Sequence, residues 1–269
     1  MKKTFLALLG SAAALFAPKT QAATTVFTDN FATGYTEGNL IGPVNTAGQN
    51  SWAQTGSVTS GNPITILNNR AVLASGSAGQ DAYKAFSEVV DVTKSGNYLL
   101  TTINFSITNA ANTTGDYFFH LSSPVGTTSV FFQRLYSRSA TGGFQLGING
   151  ASGSASAVYG STVLSLDTPY EVVIKWDFIS GVMNDALTVY VNPTEPILTN
   201  NTAYTSATWA VTEPTTVAAA NLRIGSSSAT PGVLVNSIQV QAIPEPGTCA
   251  FIGLGTAFLF RRVRRKPGA

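Results

Sequence analysis

Apolar and polar residues alternate along most of this chain with a period of two. In YEVVIKWDF, Tyr170, Val172, Ile174, Trp176 and Phe178 fall on one side and Glu171, Lys175 and Asp177 on the other, the signature of a half-buried strand. NYLLTTINFSIT repeats it, with Leu99, Ile103, Phe105 and Ile107 opposing Tyr98, Thr102, Asn104 and Ser106, and DALTVYVN adds Leu187, Val189 and Val191. Further strands are expected in TTVFTD, PITIL, RAVLAS, GDYFFHLS, SVFFQRLYS, GFQLGIN, NLRIGS and VLVNSIQVQA, separated by Gly, Asn, Ser or Pro clusters. No segment carries a convincing helical period. One open sheet of about a dozen strands would leave an apolar face in water, so the pattern predicts two antiparallel sheets packed face to face.

The two ends break the pattern. MKKTFLALLGSAAALFAPKTQAA has a basic start at Lys2 and Lys3, an apolar stretch and small residues around Ala22, the layout of a secretory signal peptide over residues 1–22 that the Sec export machinery would read. Cleavage is expected after Ala22, with Ala23 as the alternative. At the other end, the fourteen residues Gly247–Phe260 carry no charge. As a helix they would cover about 21 Å at 1.5 Å per residue, short against a hydrocarbon core of about 30 Å. Arg261, Arg262, Arg264, Arg265 and Lys266 would hold the end of that helix on the cytoplasmic side. Pro244 and Pro246 keep the preceding linker extended and out of any sheet.

Pro244, Glu245 and Pro246, then the apolar run, then the arginine cluster resemble the PEP-CTERM sorting signal of Gram-negative bacteria that make extracellular polysaccharide. The resemblance covers about the last tenth of the chain. It implies a transmembrane sorting helix in residues 243–269, an exosortase-type enzyme that cuts near the motif, an inner-membrane intermediate, and delivery to the cell surface or extracellular matrix.

Residues 23–242 remain as the working domain. Within 24–243, seven basic residues face twelve acidic ones, a net charge of −5, which argues against a nucleic-acid partner. The single cysteine, Cys249, lies in the apolar tail segment, so the domain must be held by a large core and not by disulfides. The order VFTDNF, NSWAQTG, the YEVVIKWDF to DALTVYVNPTEP hairpin and the closing NLRIGSSS and GVLVNSIQV is similar to concanavalin A-like (laminin-G-like) jelly rolls. The expected fold class is therefore an all-β, two-sheet antiparallel sandwich of that kind.

Candidate chemistry is sparse. Glycoside hydrolases on this jelly roll carry alternating carboxylates on one strand, and a retaining pair needs about 5 to 5.5 Å between them. The nearest alternation here, Glu171 and Asp177, spans roughly 20 Å. The lone histidine, His120, lies in no Gly-x-Ser-x-Gly setting, and one His with one Cys cannot supply a zinc site. No catalytic group is assigned. Calcium could be held by Asn109, Asn112 and Asp116, or by Asn184 and Asp185, although such residues in turns usually bond local backbone. Sugar binding needs aromatic platforms beside amides or charges, and Trp52, Asn104, Phe118, His120, Arg134 and Tyr136 fit that description. The expectation is an exported, non-catalytic β-sandwich that binds exopolysaccharide. A glycan-active hydrolase or lyase and a purely structural or adhesive matrix protein are the alternatives.

Overall fold

The computed structural model describes residues 22–41, 48–55, 62–74, 79–127, 130–150, 157–195, 197–209, 213–225 and 231–245. The expected signal peptide up to Gln21, Pro246, the apolar run and Arg261, Arg262, Arg264 and Arg265 lie outside them. Among the described residues no helix is long and apolar enough to cross a membrane.

The unit Thr24–Ile243 is all β, with only two short 3-10 turns among the described residues. Its strands run β1 (Thr24–Asp29), β2 (Gly38–Asn39), β3 (Ala53–Gln54), β4 (Thr65–Leu67), β5 (Arg70–Leu73), β6 (Asp81–Asp91), β7 (Tyr98–Asn109) and β8 (Asp116–Ser122). They continue as β9 (Phe131–Ala140), β10 (Gly143–Asn149), β11 (Val158–Tyr159), β12 (Tyr170–Asp177), β13 (Ala186–Val191), β14 (Thr205–Thr208), β15 (Thr216–Arg223) and β16 (Gly232–Ile243). One sheet has the order β14-β13-β12-β7-β16-β5-β4-β2, with β1 also paired to β16; the other is β11-β10-β9-β8-β15-β6-β3. Every pairing between these strands is antiparallel.

The period-two stripes meet between the sheets. Leu99, Ile103, Phe105 and Ile107 of β7 and Val172, Ile174 and Trp176 of β12 are buried against Leu121, Leu135, Leu146, Ile148 and Leu222 of the other sheet. Phe132 of β9 packs 6.3 Å from Trp176, which stacks on Trp209 at 4.7 Å. Each fully buried side chain of this size contributes about 1.5–3 kcal/mol, which is how a domain without disulfides is held together.

Strand β6 has no counterpart among the expected elements. Its burial does not alternate, because a bulge in its pairing with β15 sets Val217 opposite Val90 and Ala219 opposite Ala85. The pattern also misleads within β8. Its pairing with β9 slips twice: Tyr117 pairs with Tyr136 but Phe119 with Leu135, and Leu121 then pairs with Phe132. The first slip inserts Phe118 as an extra residue of β8. The second inserts one into β9, where Gln133 takes a left-handed φ of 47°. Bulges re-aim side chains, and here both extra residues turn inward.

Candidate functional site

The outward face of the seven-stranded sheet carries a row of rings and cations across its strands. Tyr159 of β11 lies 6.5 Å from Tyr136 of β9, and Tyr136 lies 5.3 Å from Tyr117 of β8. Gly147 of β10, opposite both Tyr136 and Tyr159 in register, makes the row continuous. A Cβ there would come within 2.7 Å of the Tyr159 ring. The Tyr159 hydroxyl donates to the Thr114 carbonyl at 3.2 Å.

Three arginines are woven into the row. Arg138 lies 4.1 Å over Tyr159, and Arg134 sits between Tyr117 and Tyr136 at 5.4 and 5.7 Å. Arg223 of β15 lies 4.0 Å over Tyr117. Arg223 donates to Asp116 Oδ1 at 2.7 Å and to the Tyr117 carbonyl at 3.2 Å, and its Nε is 3.9 Å from Asp81 Oδ2. Arg138 Nε donates to Gln145 Oε1 at 2.9 Å, and Gln145 in turn donates to the Ser161 carbonyl.

Burial tunes these groups. It raises the Tyr117 and Tyr136 hydroxyls above the ordinary tyrosine range and Tyr159 to about 12, so all three stay protonated hydrogen-bond donors at neutral pH. Burial also pushes the Asp81 carboxyl up to about 7, against the opposing pull of Arg223 and the Ile224 amide. His120 is fully buried beneath the row, 4.4 Å from Phe131 and 5.5 Å from Tyr117. Burial and then the two cations Arg223 and Arg134 hold it well below the usual histidine range, so it is neutral. Neither of its ring nitrogens has a hydrogen-bond partner among the described residues. Beside it, Asn221 Nδ2 donates to Ser122 Oγ at 2.9 Å.

Of the six residues singled out for sugar contact, the structure gathers His120, Arg134 and Tyr136 at this face. The other three are placed elsewhere. Trp52 is fully buried, and its Nε1 donates to Asp29 Oδ2 at 2.9 Å. Phe118 is turned into the core by the β8 bulge and lies 5.2 Å from Phe105. Asn104 belongs to β7 in the other sheet and donates to Ser237 at 3.0 Å. In strict alternation Tyr117 would share a face with the core residues Phe119 and Leu121, whereas the bulge brings it out. Tyr159 and Arg138 had no local signal, because what joins them is pairing between β9, β10 and β11.

Three of the five calcium candidates are otherwise engaged. Asn112 Oδ1 accepts from the Thr114 and Gly115 amides, Asp116 holds Arg223, and Asp185 accepts from Trp176 Nε1 and the Ile179 amide. Among the described residues no group of three His, Cys, Asp or Glu could hold a metal ion.

No protein-family model matches this chain, and no curated protein matches it. Some solved structures are similar to it over most of its length. A peanut lectin is similar at 15% identity and a TM-score of 0.44, over 82% of this chain and 98% of the lectin. An endo-1,3-beta-glucanase from Streptomyces sioyaensis is similar at 12% identity and 0.45, over 85% and 99%. The CBM2 module of the evolved Dit of Lactobacillus casei BL23 phage J-1 is similar at 13% identity and 0.47, over 82% and 96%. With all three scores below 0.5, the two-sheet description rests on the strand pairing itself.

Proposed function

We propose that this protein is exported, sorted by an exosortase-type enzyme to the cell surface or matrix, and binds exopolysaccharide through the outward face of its seven-stranded sheet, a face of a concanavalin A-like jelly roll. The observation that carries the binding role is the row Tyr159, Tyr136 and Tyr117 with Arg138 and Arg223 set among the rings. Aromatic faces accept the apolar side of a sugar, while guanidinium, amide and phenol groups bond its hydroxyls. The test is retention of the full chain on exopolysaccharide from its producing organism, compared with a Tyr136→Ala and Tyr159→Ala double variant. Retention lost in the double variant supports the reading, and absence of retention in the unaltered protein overturns it. The sorting half has its own readout, since intact-mass measurement of surface-derived protein should find residues 261–269 removed.

A hydrolase is the second reading, because Asp81 holds its proton to about pH 7 beside a second carboxyl, Asp116, as an acid catalyst would. The binding reading is favoured because the guanidinium of Arg223 contacts both carboxyl groups and ties them to the protein. Sugar release from the polymer that disappears in Asp81→Asn would reverse that preference.

A further inference from the structure

Resting on the binding reading above, we infer that this face selects an acidic polysaccharide, one whose sugars carry carboxylate or sulfate groups, and that Arg138 receives the anion. The domain is acidic overall, yet Arg134, Arg138 and Arg223 all stand within one row of rings. Arg223 is spent on Asp116 and Asp81. Arg138 is not: among the described residues, which include every Asp and Glu between 24 and 243, no carboxylate lies within 4.0 Å of it, the distance within which the other ion pairs of the domain fall. It is nevertheless held in place, stacked on Tyr159 and bonded through Nε to Gln145.

That arrangement fixes the plane of the guanidinium, while among the described residues no carboxylate pairs with its terminal amino groups. A planar donor fork is suited to a carboxylate or sulfate, and fixing it beforehand removes much of the ordering cost of binding. The half-buried setting strengthens the attraction relative to open water. Tyr136, one strand-step away on the same face, supplies the platform for the ring that bears the anion. A neutral sugar would use the platform but leave the guanidinium without a counter-charge.

Titration calorimetry of the full chain against polygalacturonate, dextran sulfate and neutral dextran tests this. Polygalacturonate or dextran sulfate should bind at least tenfold more tightly than dextran, and the preferred polymer identifies the anion as carboxylate or sulfate. Arg138→Gln, which keeps a planar amide over Tyr159, should remove at least tenfold of that preference. It should leave thermal unfolding unchanged, since the residue is an outer-face group without an ion pair. Equal affinity for all three polymers would overturn the selection of acidic glycans while leaving the sugar-binding face standing. Binding to the acidic polymers that is unaffected by Arg138→Gln would overturn the role of Arg138. No binding to any of the three, together with no retention on native exopolysaccharide, would remove both readings.

Discussion

Gln133 reaches from the bulge in β9 through the core to Thr101 of β7, whose hydroxyl donates to its Oε1 at 2.8 Å. Both residues are completely buried, so this bond ties the two sheets at a place where neither partner can turn to water. Leaving one buried polar group without its partner costs about 1–3 kcal/mol, whereas replacing both with apolar groups of similar shape is close to neutral. Thr101→Val should destabilise by that amount in chemical denaturation, and Gln133→Met by less, because it also removes the partnerless Nε2 of Gln133. The double variant should recover much of the loss; a strictly additive loss would show that the pair does not act as a unit.

Asp81 and His120 pull the pH dependence of stability in opposite directions. The Asp81 carboxyl is raised from 3.8 to about 7 by burial, so between about pH 4 and 7 the folded protein holds a proton that the unfolded chain has lost. Its contribution is fully present below that window and declines as pH rises through it. His120 is lowered well below 6.5, mainly by burial and then by Arg223 and Arg134. Its contribution is present above pH 6.5 and is lost as pH falls and the unfolded chain takes up a proton. Each slope is at most about 1.4 kcal/mol per pH unit. Urea denaturation between pH 4 and 7 should therefore show Asp81→Asn gaining stability with rising pH and His120→Phe losing it. The wild type should be flatter than either, and parallel profiles would contradict this opposition.

His120→Phe should also raise stability at pH 7 by about 1 kcal/mol, because it removes two buried nitrogens that lack partners. A fall in the melting temperature at that pH would mean that the imidazole has a partner in solution.

Asp29 is the hub of a buried network. It accepts from Trp52 Nε1 and Lys84 Nζ at 2.9 Å, from Tyr35 at 2.5 Å and from the Phe31 amide at 3.1 Å. Removing one member of such a buried ion pair costs about 3–5 kcal/mol, so Asp29→Ala should be the most damaging single change suggested here. Lys84→Met breaks the same pair and should cost somewhat less, since the carboxylate keeps its donors from Trp52, Tyr35 and the Phe31 amide. Unfolding free energies that rank the two the other way would place the energy in the ion pair alone.

Gly147→Val should separate fold from binding. The added side chain must displace the Tyr159 ring, which packs on the outer face and not in the core. Glycan retention should drop as in Tyr159→Ala, while the unfolding midpoint moves much less. A variant that unfolds without losing retention would count against the ring row as the contact surface.

The sequence pattern reads well wherever pairing is regular. The stripes of β7 and β12 and the β12–β13 hairpin follow directly from alternation, because an unbroken period of two leaves one way to bury each strand. It fails where a residue is inserted. Phe118 and Gln133 change the parity of their strands, and no local composition announces a bulge. The candidate site suffers for the same reason: Arg134, Tyr136 and His120 are close in sequence to the row they join, whereas Tyr159 and Arg223 arrive from distant strands. Trp52 was misplaced by its loop-like neighbours, since nothing in QNSWAQTG reveals that Asp29 lies within reach of its indole.

The last strand, β16, is zipped to β7 through its final residue, with Ile243 set opposite Tyr98 and Ala242 opposite Thr24 of β1. A peptide bond severed beyond Ile243 would break no rung of either ladder. The ladders of the sandwich therefore owe nothing to the chain beyond Ile243, and the sugar contact proposed for the outward face would not depend on that tail.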